Sequence, residues 1–260
     1  MSVLLETQDL TIFFGGLGAV LDLSFTVEEG RIVSLIGPNG AGKTTVFNML
    51  TGFLEPTRGR VIFAGEDITA REPHLIAAKG LVRTFQQNEL FGHATVLENV
   101  LIGTHLRGNG RTAPARVALD AARRKAWRQA EEDALAAAAR IIDFVGLGAK
   151  RDMPARCLSH GEQRLLGIGV ALAAEPRLLL LDEPVGGMNP TEALVLMGLI
   201  RKVKERGTTL LLVEHNMNVV MGISDKIVVL DHGAKICEGA PAEVRREPRV
   251  IEAYLGRWRG

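Results

Sequence analysis

Residues 37–44 read Gly-Pro-Asn-Gly-Ala-Gly-Lys-Thr and directly follow the apolar run Ile32 to Ile36. The spacing G-x-x-x-x-G-K-[ST], set between a strand and a helix, is what wrapping a backbone round a phosphate requires. Gly37, Gly40 and Gly42 can take backbone angles closed to other residues. The run Gly37, Pro38, Asn39, Gly40, Ala41, Gly42, Lys43, Thr44, Thr45 can therefore curl its N–H groups, all but that of Pro38, round an anion. Lys43 adds a positive charge for the outer phosphates, and the Thr44 hydroxyl can complete a Mg²⁺ shell. A helix starting near Lys43 contributes its partial positive end. The predicted ligand is a nucleotide, with Mg²⁺ on its phosphates.

Far downstream, Leu178 to Leu181 run into Asp182-Glu183-Pro184. Four consecutive leucines suit a parallel strand covered on both faces. In open α/β sheets chemistry gathers at the carboxyl ends of strands, where these two acids fall. Asp182 is placed to hold the metal, through water, and Glu183 to polarise a water that attacks the terminal phosphate. A strand ending in an acidic turn is common by itself; with the phosphate loop it reads as catalytic. Between the two motifs lies Leu158-Ser159-His160-Gly161-Glu162-Gln163. Ser159 with Glu162 three residues later is a capping box, so a helix is expected to begin there.

Phosphate loop, a Leu-Ser-x-Gly-x-Gln phrase and an Asp-Glu pair in this order resemble the ATP-binding-cassette (ABC) ATPases, over nearly the whole chain. The resemblance implies an α/β fold: a P-loop nucleotide-binding domain with a RecA-like core, an antiparallel β-subdomain and an inserted helical subdomain. It also implies that two cassettes pack head to tail, so that Ser159, Gly161 and Gln163 would cap ATP held by the opposite phosphate loop. By the same likeness Phe14 stacks on adenine, with Phe13 the alternative one register step away. Gln86, next to Gln87, would touch Mg²⁺ and sense the γ-phosphate, and His215, after Thr209 to Glu214, would contact that phosphate as the switch histidine. The catalytic set is then Lys43, Glu183 and His215, and the metal set Thr44, Gln86 and Asp182. Three departures stand out: His160 for the usual first signature glycine, Glu162 for the usual glutamine, and Asn189 where many cassettes carry a D-loop aspartate.

Composition agrees with this reading. The chain has 260 residues, 47% of them hydrophobic, enough for a substantial core. Thirty-one basic against 30 acidic residues leave a net charge of +1, which argues against bulk nucleic-acid attraction. Two cysteines, Cys157 and Cys237, are too few for a disulfide framework, and a reducing compartment fits. No apolar run approaches the roughly 20 residues that span a bilayer. The start carries Glu6 and Asp9 without a basic segment, so no secretory leader is expected.

Alternation from Leu21 to Glu28 predicts a strand with one wet face, pairing with Leu4 to Phe14 across the Gly15–Gly18 turn, with Arg60 to Ala64 added beside it. Residues 95–106 and 115–145 read as helical, and 241–260 as short helices. Asp231-His232-Gly233 reads as a hairpin turn. The predicted division assigns 1–87 and 160–260 to the nucleotide core with its β-subdomain, and 88–159 to the helical subdomain and signature.

Two classes of function follow from the family likeness, a transporter's energising subunit or a soluble ABC ATPase. One cassette with an ordinary helical insert favours transport. Phe14-Gly15-Gly16, Phe47 to Gly52, Arg83 to Gln86, Glu214 to Met217, Val220 to Asp225 and Ile251 to Gly256 are similar to bacterial branched-chain amino-acid importer ATPases. That likeness implies transmembrane permease partners, a second and different ATPase in a heterodimer, a periplasmic solute-binding protein, and a peripheral place on the cytoplasmic face of the inner membrane. Related importers take urea, short amides or aromatic acids, and no residue here touches the solute.

Overall fold

The computed structural model describes residues 2–84, 90–104 and 121–255. Its chain divides into two units, Met1–Arg83 with Arg177–Gly260, and Thr84–Pro176.

The first unit is organised by strands with no polar face. β3 (Ile32–Ile36), β7 (Leu178–Asp182) and β8 (Thr209–Val213) are buried at every position. With β6 (Leu81–Arg83), β9 (Lys226–Asp231) and β10 (Ala234–Gly239) they form a sheet in the order β10-β9-β3-β8-β7-β6. The inner strands pair in parallel, and β10 closes one edge as the antiparallel arm of a hairpin. Its turn is His232-Gly233, both at positive φ (46° and 82°), the primed turn that suits strand twist.

The strand period of two sorts side chains onto opposite faces. Val33, Leu35, Val228 and Leu230 join a cluster with Phe47 and Leu50 of α1 (Lys43–Leu50). The same cluster holds Leu4, Leu10, Val20 and Leu23, from β1 (Val3–Phe14) and β2 (Leu17–Glu28). Ile36, Ile227 and Val229 instead meet Val220 of α7 (Met217–Ile223), Val244 of α8 (Pro241–Val244) and Val250 of α9 (Pro248–Leu255). Each fully buried aliphatic contributes about 1.5–3 kcal/mol. The second sheet is antiparallel, β2-β1-β4-β5, with β4 (Arg58–Phe63) and β5 (Glu66–Asp67) extending the β1–β2 pair. α2 (Pro73–Ala78) and α6 (Pro190–Glu205) complete the unit.

The second unit is helical. α3 (Val96–Thr104), α4 (Ala121–Phe144) and α5 (His160–Ala173) pack on one another. Gly103 permits the close approach of α3 to α5, since a Cβ there would lie 2.2 Å from the Val170 carbonyl oxygen. Gly169 of α5 faces Ile141 and Val145. These contacts place α5 in the helical unit, which extends to Pro176. Among the described residues, no helix is long and apolar enough to cross a membrane.

Candidate active site

Parallel pairing of β3 and β7 on either side of β8 brings the carboxyl ends of three strands together. After β3 comes the glycine loop. Gly37 is buried, Pro38 half-buried, and Asn39 and Gly40 exposed. A Cβ at Gly37 would meet the Leu230 carbonyl oxygen at 2.2 Å, and one at Gly42 the Ala19 carbonyl oxygen at 2.5 Å. Both glycines are therefore demanded by close backbone approach. Ala41 is buried and closes a turn through its N–H to the Pro38 carbonyl (3.2 Å). α1 starts from Gly42 in the left-handed region (φ 98°) with no side-chain cap. No side chain thus competes for the first N–H groups of α1, the arrangement that makes a helix start an anion site. Thr44 is exposed there and Thr45 half-buried.

Lys43 turns its ammonium back onto the loop, donating to the carbonyl oxygens of Gly37 (2.8 Å) and Pro38 (3.0 Å). Burial pushes this lysine below its ordinary value, while the nearby Glu183 and Asp182 carboxylates push the other way. Phosphate loop and acidic pair therefore share one electrostatic site.

Asp182 ends β7 and is 1% exposed. Arg83, at the end of β6, donates from Nη2 to Asp182 Oδ2 (2.7 Å) and from Nη1 to Asn48 Oδ1 (2.7 Å). Oδ1 of Asp182 is buried and has no hydrogen-bond partner among the described residues. A buried acceptor left without a protein partner suits a hydrated cation. Glu183 takes the left-handed region (φ 46°), with its N–H on the Val213 carbonyl (2.9 Å). That turn lifts its carboxylate out of the strand to 3.8 Å from His215 Nδ1. His215 follows β8 and is half exposed.

Two further residues organise this site and carry weak sequence signals. Arg83 is a charge at the end of a short apolar strand. Glu214 is a charge after the apolar run of β8, fully buried, its carboxylate accepting the N–H groups of Val185 (3.0 Å), His215 (3.1 Å) and Asn216 (3.2 Å). Phe13 and Phe14 end β1 at about half exposure, open enough to act as a platform. The Phe13 ring lies against Gly18, where a Cβ would come within 3.1 Å of it. Gln86 lies outside the described residues.

Within the helical unit, Ser159 caps α5: its Oγ accepts the Glu162 N–H (3.3 Å), and Glu162 Oε2 accepts the Ser159 N–H (3.0 Å). Lys150 also bonds Glu162, and with the Ser159 N–H it holds that carboxyl below its usual range against partial burial. The Glu162 departure thus strengthens the helix start. Gly161 is buried in the first turn. The Gln163 amide turns back to donate to the carbonyls of Ala155 (3.4 Å) and Leu158 (3.2 Å), bracing the preceding turn. Asn189 is likewise a cap, accepting the Glu192 N–H (2.9 Å) at the start of α6.

Residues 20–186 match the ABC transporter family. The chain belongs to that family. The cassette is a transport-coupled ATP hydrolase with a P-loop ABC fold. Residues 234–257 also match the family described as branched-chain amino acid ATP-binding cassette transporter. This part contains α9, whose Tyr254 packs beside Ile36 and Val229 and is pushed by burial up to about 12. The cassette is 44% identical to the high-affinity branched-chain amino acid transport ATP-binding protein BraF of Pseudomonas aeruginosa, over 97% of this chain and 98% of that one. It is 41% identical to LivG of Escherichia coli, which bears the same description, with the same coverage. Among solved structures, a nucleotide-free ATP-binding cassette from an ABC transporter superposes with a TM-score of 0.84 at 34% identity, covering 98% of this chain and all of that one. A cassette in its ADP conformation matches equally well at 32% identity.

Proposed function

We propose that this cassette hydrolyses ATP to drive an importer of branched-chain amino acids. The likeness that carries the reading runs end to end: 97% of the chain aligns with transport ATPases of that description, and residues 234–257 match a family model for branched-chain amino acid transporters. The site supplies what hydrolysis needs. The 37–45 loop and the start of α1 grip the phosphates of ATP, with Phe14 under the adenine. Thr44, Gln86 and, through water, Asp182 are the residues that would hold Mg²⁺, which when bound neutralises charge on the phosphates. Glu183 takes the proton of the attacking water and His215 steadies the γ-phosphate, so that catalysis is mainly positional and electrostatic. Ser159, Gly161 and Gln163 serve the ATP of an opposing cassette, which closes on this one. Differential affinity of ATP for the closed pair is what shifts a transporter's conformation.

The working assembly is proposed as a heterodimer with a second ATPase, docked on two permeases at the cytoplasmic face and fed by a periplasmic binding protein. Reconstituted in vesicles with those partners, the cassette should show ATPase stimulated by leucine, isoleucine or valine with the binding protein. Stimulation by urea, short amides or aromatic acids instead would overturn the substrate and keep the ATPase. Native mass spectrometry of the membrane complex should find one copy of this chain beside a second cassette. Two copies and no second cassette would overturn the heterodimer.

A further inference from the structure

We propose that Glu214 is a positioning residue that fixes the register between the turn carrying Glu183 and the loop carrying His215. This rests on the catalytic reading of those two residues. Glu214 is fully buried, an unusual place for an acid, and no catalytic role consumes it. Its two carboxylate oxygens are divided between two segments. Oε1 accepts the N–H of Val185, two residues past Glu183 (3.0 Å); Oε2 accepts the N–H groups of His215 (3.1 Å) and Asn216 (3.2 Å). All three bonds run toward the carboxylate, which suits a group that only accepts.

Backbone pairing between β7 and β8 stops at Asp182↔Val213, and the Glu183 N–H makes its last link to Val213. Beyond that point the two catalytic segments leave the sheet. Among the described residues, the Glu214 side chain is what ties them again by hydrogen bonds, one residue later. It thereby sets the 3.8 Å spacing of Glu183 Oε1 and His215 Nδ1. The Asn216 side chain reinforces the same loop by capping α7 on the N–H groups of Asn218 and Val219. Glutamine at position 214 keeps the shape but aims an NH₂ group at N–H donors, so one of the two segments must let go.

The test is steady-state ATP hydrolysis by the full-length chain, with Glu214→Gln, His215→Ala and the double variant. Glu214→Gln should lower kcat roughly ten- to hundredfold while KM for ATP and the ATP dissociation constant stay within about twofold. Added to His215→Ala, it should cost much less than in the wild type, because both act through one geometry. Equal loss in both backgrounds, or a parallel loss of ATP affinity, would assign Glu214 to general folding and overturn the proposal. Should Glu183→Gln and His215→Ala turn over normally, the catalytic reading falls and this inference with it. Should those two be inactive while Glu214→Gln matches the wild type, only the positioning role falls. Amide hydrogen exchange of the wild-type chain covers the case in which the variant fails to fold. Val185, His215 and Asn216 should be protected as one set; loop-like exchange at all three would overturn the proposal.

Discussion

Arg83 reaches Asp182 Oδ2 at 2.7 Å and leaves the other carboxylate oxygen, Oδ1, buried without a hydrogen-bond partner among the described residues. Arg83→Met would strand a carboxylate that is 1% exposed, and breaking a buried pair in this way costs about 3–5 kcal/mol. Urea unfolding should show a loss on that scale. Asp182→Asn should cost less stability yet abolish the tightening of ATP binding on adding Mg²⁺, measured by titration with and without the metal. An undiminished Mg²⁺ effect in that variant would remove Asp182 from the metal set.

Glu183 and Lys43 face the same loop but should fail differently. Glu183→Gln keeps size and loses the base, so hydrolysis should fall by about 10²-fold or more with ATP binding retained. Lys43→Ala deletes the charge that sits 2.8 Å from the Gly37 carbonyl and should weaken ATP binding itself. Paired measurements of turnover and nucleotide affinity separate the two. Normal turnover in the first or normal affinity in the second would count against its assigned role.

How much of this was legible in the sequence depended on whether the signal was local. The phosphate loop could be read because its three glycines and one lysine answer to backbone geometry within eight residues. The buried strand β7 announced itself as an unbroken apolar run, and Ser159 with Glu162 as a cap. Glu214 and Arg83 could not be read, because their partners, Val185 and Asp182, lie 29 and 99 residues away and only the sheet brings them close. Asn189 was readable as a departure from the family. Its side chain proves to accept from Glu192, a capping task open to aspartate as well, so this departure carries no argument about which cassette pairs with this one.

Phe14 offers a ring face and no hydroxyl, so purine recognition there should be dominated by stacking. Phe14→Ala should weaken ATP by about 1–3 kcal/mol, and GTP should compete with ATP within that range. Phe13→Ala serves as the register control, its ring being occupied by Gly18. A normal affinity in Phe14→Ala beside a weakened Phe13→Ala would move the platform by one residue.

Asp225 anchors the start of β3, and hence the strand that leads into the phosphate loop. Its carboxylate accepts the Ile32 N–H (2.7 Å) and pairs with Lys204 (2.7 Å) and Arg31 (3.5 Å). Partial burial pulls this carboxyl upward, but those three groups outweigh it and hold it below its ordinary value. A depressed acid contributes stability that is fully present above its unfolded value, near about 3.9, and is lost as pH falls through the lower folded value. Asp225→Asn should therefore be less stable than the wild type by about 1.5–3 kcal/mol at neutral pH. The gap should narrow below about pH 4. Denaturation at a series of pH values checks both statements, and a gap independent of pH would show that charge is not the cause.

Phe91 is an exposed aromatic side chain whose position asks for a partner. It is 61% exposed, while its backbone is clamped from beneath by Asn99, itself 1% exposed. The Phe91 N–H donates to Asn99 Oδ1 (2.9 Å), and the Asn99 amide returns a bond to the Phe91 carbonyl (3.1 Å) and others to Ala94 and Thr95. A buried amide holding a loop so that its aromatic ring faces solvent is a costly arrangement for a residue with nothing to meet. We propose that this ring meets a permease subunit of the assembled transporter. Phe91→Ala should leave the basal ATPase of the isolated chain unchanged and should reduce solute-stimulated ATPase and uptake in the assembled transporter by about tenfold, the scale of a buried aromatic anchor at an interface. Asn99→Ala should do the same while also lowering the melting temperature, because it removes the clamp as well as its support. Equal losses for Phe91→Ala in the isolated and assembled states would show that the ring serves the fold and not a partner.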